Sequence, residues 1–134
     1  MRAEKILIEG TAEGPALVLE EPLSFWGGLD SETGTIIDEN HPQHGQSITG
    51  KILVVERTRG CTSAPGALAE CLRSGRGPAA IFLAQTDTTV LVGTRIAAEL
   101  YEAGIAVVVL DPTDHAGLET GMRLTLSNGA IEVL

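Results

Sequence analysis

Apolar and polar positions along this chain follow two rhythms. Short aliphatic runs of five or six residues recur, and two of the stretches between them carry a helical repeat. Residues 5–9 read as a short strand ended by Gly10. Glu13-Gly14-Pro15 reads as a turn, and residues 16–19 as a second strand. A polar turn at 30–34 precedes a short extended piece at 35–37. Residues 51–55 form a strongly apolar strand. From Pro65 a helical pattern takes over: Leu68, Cys71 and Leu72 share a face, Arg73 suits a last turn and Gly75 a stop. Residues 79–84 are continuously apolar, as expected of a strand covered on both faces. Asp87 or Thr88 is the candidate cap of a second helix over 91–101. Leu91, Arg95, Ala98 and Glu102 fall on one of its faces and Ile96, Leu100 and Ala103 elsewhere, so both sides should be partly covered. Residues 105–110 are another buried-type strand. The middle therefore predicts a βαβαβ unit of parallel strands with right-handed crossovers. At the far end, residues 122–126 and 130–134 flank Ser127-Asn128-Gly129, a strong hairpin signal. The expectation is an α/β fold in one domain over residues 1–134, with β-turns at both ends.

Composition narrows the picture. The chain has 134 residues, 43% of them apolar, enough for one real core and too many for disorder. With two Phe, one Trp and one Tyr, that core must be aliphatic. The net charge is −9 and no Lys/Arg cluster breaks it, so neither a nucleic acid nor an anionic membrane is an expected partner. No apolar run is long enough to span a bilayer. Residues 1–5 show no extended apolar region of a secretory signal. Two cysteines ten residues apart are no disulfide framework, and a reducing cytoplasm is the expected location.

Three stretches carry candidate chemistry. Arg59-Gly60-Cys61-Thr62-Ser63-Ala64-Pro65-Gly66 links the apolar strand to the first helix. It gathers three proton-exchanging side chains, Cys61, Thr62 and Ser63, where unpaired N–H groups and a positive dipole favour an anion. That suits a catalytic residue or a carboxylate clamp, and equally a plain Ser/Thr cap. A thiol at such a place would have a lowered pKa, whereas Cys71, on the helix face, reads as a small core residue. The second stretch is Pro22-Leu23-Ser24-Phe25-Trp26-Gly27-Gly28-Leu29-Asp30, which spends one of two Phe and the only Trp beside a glycine pair. It is either an aromatic plug closing a small barrel or, through Ser24, Phe25, Trp26, Gly27 and Gly28, a surface that meets a partner or roofs a site. Third, His41 and His44 invite a metal reading. Pro42 between them blocks helical pairing and only Asp38 lies near, so no metal ligand is assigned to this chain.

These pieces together resemble a known family. The 22–30 block, then Thr33-Gly34, Ile37-Asp38, His41-Pro42, Gly45, Ser47-Ile48 and Gly50-Lys51-Ile52-Leu53, are similar to the small subunit, or swivel domain, of aconitase X. The resemblance implies a swivelling β/β/α domain like the mobile last domain of aconitase, a small barrel or sheet around the central βαβαβ unit. It implies a large partner subunit that carries most of the active site and an iron or iron–sulfur cofactor. It also implies a small hydroxy-acid substrate: cis-3-hydroxy-L-proline in the bacterial branch, phosphomevalonate in the archaeal one. Residues 97–101 and 107–110 look more like the former. The family's loop runs Arg or Lys, Gly, then a Ser taken as proton acceptor. Here Arg59 and Gly60 match, as substrate-binding residues, but Cys61 fills the acceptor slot and Pro65 the final Ser slot. Cys61 remains chemically able to take a proton, and Thr62 or Ser63 could serve in a loop shifted by one residue. The chain by itself should then be an inactive half of a hydro-lyase, with the loop closing over substrate held by the partner. A non-catalytic binding or assembly module on the same fold is the other reading. An isolated chain could also pair with itself through Phe25 and Trp26.

Overall fold

A computed structural model of residues 1–134 contains nine strands and three helices. In chain order they are β1 (Lys5–Ile8), β2 (Thr11–Val18), β3 (Leu29–Asp30), β4 (Thr35–Ile36), β5 (Ile52–Val54), α1 (Ala64–Arg73), β6 (Ala80–Leu83), α2 (Thr88–Tyr101), β7 (Ala106–Val109), α3 (Pro112–Ala116), β8 (Arg123–Ser127) and β9 (Ala130–Val133). Seven strands form one sheet in the order β1-β7-β6-β5-β2-β8-β9, and β3 and β4 form a separate small hairpin. Strands β2, β5, β6 and β7 are mutually parallel. β1 joins β7 antiparallel at one edge, and β8 and β9 continue antiparallel from β2 at the other. The βαβαβ unit, β5-α1-β6-α2-β7, is the one the hydrophobic runs predict.

Alternation along the parallel strands sorts their side chains onto two faces. Leu17, Leu53, Ile81 and Val107 point into a core shared with Leu68, Ala69, Cys71 and Leu72 of α1 and Val90 and Ala97 of α2. Ala16, Ile52, Val54, Phe82 and Val108 point the other way, against Leu118, Leu124, Leu126 and Ile131. The β8–β9 hairpin thus curls the sheet over its second face into a half-barrel. Its turn is made by Asn128 (φ 49) and Gly129 (φ 80), two consecutive left-handed residues of the kind a tight hairpin needs.

Four local expectations change. Glu13-Gly14-Pro15 is not a turn but the middle of β2, paired with Arg123, Leu124 and Thr125. Pro15 is tolerated there because the Ala16 N–H donates to Met122 on the β8 side, so the Pro15 nitrogen faces the β5 side, where pairing starts only at Ala16. Gly14 lets the strand pass close to Gly50: a Cβ on it would sit 2.8 Å from the Gly50 carbonyl oxygen. Helix α2 starts at Thr88, three residues earlier than its apolar pattern suggests, because Asp87 caps it. Its buried residues are Val90, Gly93, Thr94 and Ala97, neither of the two expected faces. That stripe is small rather than greasy: a Cβ on Gly93 would stand 2.9 Å from the Pro65 carbonyl oxygen and 3.0 Å from Leu68 Cδ2. Finally, α3 starts at Pro112 where the sequence reads only as a loop; the carboxylate of its cap, Asp111, accepts the Thr113 N–H at 2.8 Å. No helix is long and apolar enough to cross a membrane.

Two outcomes check this packing. Phe82→Ala empties a fully buried site in the middle strand; it should lower the unfolding free energy by about 3–5 kcal/mol in urea titration. Cys71 gives a pH signature. Burial pushes its thiol up from 9.0 to about 11, with the Asp30 and Glu70 carboxylates adding to the shift. Because the folded state resists ionisation, stability is intact below the ordinary thiol value and falls as pH rises from 9.0 towards about 11. The wild type should lose up to about 2 kcal/mol over that interval relative to Cys71→Ala, read from unfolding curves at each pH.

Candidate functional site

The loop between β5 and α1 is held at its stem and open at its tip. Val55 N–H donates to the Phe82 carbonyl at 3.1 Å, extending β5 by one residue. Immediately after the exposed Glu56-Arg57 corner, Thr58 turns back inside and is buried. Its backbone N–H and its hydroxyl both donate to Asp87 Oδ2 at 2.7 Å. The other oxygen, Oδ1, accepts the Val90 N–H at 3.1 Å and so caps α2. On the opposite side Thr58 forms a parallel bridge to Leu23, and Arg59 N–H donates to the Leu23 carbonyl at 2.9 Å. Gly60 passes close over α2, where a Cβ would meet Thr89 Oγ1 at 3.0 Å. Beyond it Cys61, Thr62 and Ser63 are all exposed.

Helix α1 begins at Ala64 with Ser63 in the N-cap position, yet the Ser63 side chain makes no capping hydrogen bond. Ser63 has helical φ and ψ of −92 and −13, unlike the extended backbone of a working cap. The plain-cap explanation of this serine therefore fails, and its hydroxyl is not committed to the helix. Cys61 lies two residues ahead of the N-cap, outside the first turn where the dipole is strongest. Its carbonyl oxygen accepts the Ala64 N–H at 3.2 Å.

The aromatic block is divided by the fold. Phe25 is 1% exposed and belongs to the core, whereas Trp26 is 61% exposed. An exposed surface shared by Phe25 and Trp26 is thus corrected: of the two, only Trp26 is exposed. The turn that carries Trp26 is tightly built. Ser24 Oγ donates to the Trp26 carbonyl at 2.7 Å, Gly27 has φ +85, and a Cβ on Gly28 would stand 2.5 Å from the Ser24 carbonyl oxygen. Trp26 and Gly27 line a groove of about 680 Å³ together with Ser31, Ser63, Gly66 and Glu70. The structure therefore brings the aromatic block and the end of the candidate loop to one place. Arg73 donates to the Glu70 carboxylate and holds it below the usual carboxylate range.

Arg59 points elsewhere, to Glu21, with N···O at 3.7 Å between two half-exposed side chains. Such a pair is worth about 0–1 kcal/mol, so the guanidinium is readily exchanged onto another carboxylate. A second cleft, of about 490 Å³, lies past the C-terminal ends of β2 and β6 and includes Glu20, Glu21, Glu56, Gln85 and His115. No sequence motif marks it. His41 and His44 do not converge on a metal. His41 is buried, its Nδ1 accepts the Gln43 N–H at 3.0 Å and its Nε2 lies 3.0 Å from the Glu21 carbonyl, so both ring nitrogens are used by backbone. No group of three His, Cys, Asp or Glu side chains is placed to hold a metal ion. The residues here do not fit an iron site.

The chain is thus a half-barrel sheet backed by two helices, with an exposed loop at the C-terminal end of a central strand. The aconitase X swivel domain family matches residues 1–133, and the chain belongs to that family. Among its relatives, the cis-3-hydroxy-L-proline dehydratase of Hypocrea jecorina is 34% identical over 127 residues, 95% of this chain and 21% of that protein. The phosphomevalonate dehydratase small subunit of Thermococcus gammatolerans is 37% identical over 136 residues, 100% of this chain and 97% of that one. The chain thus spans about a fifth of the first relative and nearly all of the second. The crystal structure of Thermococcus kodakaraensis aconitase X in its holo-form matches with a TM-score of 0.86 at 34% identity, covering 99% of this chain and 96% of that chain.

The divided aromatic pair can be checked directly. Phe25→Ala should cost about 3–5 kcal/mol of stability, while Trp26→Ala should stay within about 0.5 kcal/mol of wild type. Equal losses in chemical denaturation would contradict the placement of Trp26.

Proposed function

We propose that this chain is the small subunit of a two-subunit dehydratase that removes water from a small hydroxy acid. The observation that carries the reading is the loop itself: a stem gripped by Asp87 and Leu23, and a tip that presents Cys61, Thr62 and Ser63 to solvent. Catalytic groups need this combination of fixed position and free reach. The reaction asks for a base that takes the proton from the carbon next to a carboxylate while the hydroxyl leaves the neighbouring carbon as water. Cys61 occupies the base position of the loop, with Thr62 and Ser63 beside it. Arg59 and Gly60 meet the substrate carboxylate, Arg59 by leaving its weak pair with Glu21. The Lewis acid for the departing hydroxyl, iron or an iron–sulfur cluster, belongs to the large subunit. Trp26 and the Ser24–Gly28 turn face that subunit beside Ser63 and exclude water when the two close. Residues 1–134 act in this as one domain, in the cytoplasm.

The substrate proposed is cis-3-hydroxy-L-proline, the substrate in the name of the Hypocrea relative. A second reading, phosphomevalonate, is favoured by one observation: the relative that the chain matches end to end carries that name. Co-expression with the large subunit, followed by dehydratase assays on both compounds, tests the proposal. Turnover should need both chains. Cys61→Ala should lower kcat by about 10²- to 10⁴-fold with the fold intact, and Cys61→Ser should keep part of the activity. Full activity in alanine variants of all three tip residues would instead make this chain a non-catalytic assembly module.

A further inference from the structure

Asp87 does more than cap a helix. One carboxylate oxygen is enough for an N-cap, and Oδ1 supplies it to Val90. The second oxygen is turned to a residue 29 positions upstream and takes both the N–H and the hydroxyl of Thr58. Asp87 and Thr58 are 9% and 5% exposed, so these bonds are made away from bulk water, where a donor left without its acceptor is costly. Serine or threonine would cap α2 as well but is one atom too short to reach both partners. Asparagine has the length, yet its amide would present N–H to a backbone N–H on one side or the other. Only a carboxylate accepts on both oxygens, and the three donors here require that.

Thr58 is the residue just before Arg59. Through it the position of the loop stem is referred to the start of α2, and through the Leu23 bridge to the segment that carries Trp26. We propose that Asp87 is the positioning residue of the dehydratase loop, setting where Cys61, Thr62 and Ser63 stand without itself touching substrate. This rests on the dehydratase reading above for its kinetic consequence, but not for its structural one.

Asp87→Ser separates the two duties, since it keeps a capping oxygen for α2 and loses Thr58. In the two-subunit complex it should lower kcat by about 10²-fold while KM changes by less than about three-fold, the pattern of a misplaced group rather than lost substrate binding. Thr58→Val, which keeps the N–H and loses the hydroxyl, should fall by about ten-fold, and Thr58→Ser should recover wild-type turnover. On the isolated chain, amide hydrogen exchange at Thr58 and Arg59 should quicken by at least about ten-fold in Asp87→Ser, with the β5 and β6 amides unchanged. Unchanged exchange at Thr58 and Arg59, or equal loss in Thr58→Ser and Thr58→Val, would overturn the proposal. Absence of turnover in the wild-type complex would sink the dehydratase reading alone, and the exchange measurement would still decide the role of Asp87.

Discussion

Four parallel strands must be covered on both faces, and nearly every other element of this chain supplies that cover. Helices α1 and α2 lie on one side, and the β8–β9 hairpin with Leu118 closes the other. The demand also settles where chemistry can be placed. Both faces of the sheet are filled, so reactive groups are left to the ends of the strands. The loop after β5, the turn that carries Trp26 and the cleft at Glu21 are all found past the C-terminal ends of the parallel strands, where open α/β sheets keep their sites.

How much of this was legible in the sequence depended on what kind of signal each element left. β5, β6, β7 and the last hairpin were readable because burial on both faces writes an unbroken aliphatic run, and Asn128-Gly129 writes its own turn. β2 was half hidden: Gly14-Pro15 looks like punctuation, but glycine there serves close approach to Gly50 rather than a reversal. The buried stripe of α2 leaves almost no hydrophobic signal, because Gly93, Thr94 and Ala97 carry little hydrophobicity. Close contact between helices selects for smallness, which a search for large apolar residues passes over. α3, at five residues, is too short to show a period at all.

The candidate site divides in the same way. Cys61, Thr62 and Ser63 stand out in the sequence because three exchangeable side chains sit together between a strand and a helix. What holds them does not stand out. Thr58 is an unremarked residue in a polar stretch, and Asp87 shows only its capping signature. Their partnership spans 29 residues and is visible only once β5 and β6 lie side by side. The aromatic block gave the reverse lesson. Two adjacent aromatics looked like one feature, and the fold assigns them opposite environments.

The tight seating of α2 on α1 has a mechanical side. At Gly93 the helices lie so close that even a Cβ would meet the Pro65 carbonyl oxygen and the Leu68 side chain, so the seam has no slack. The seam also fixes where the two helices start relative to each other, and the loop stem hangs between those starts, Ser63 at the head of α1 and Asp87 at the head of α2. A bulkier residue at position 93 would pry the helices apart and change that spacing without touching the loop itself.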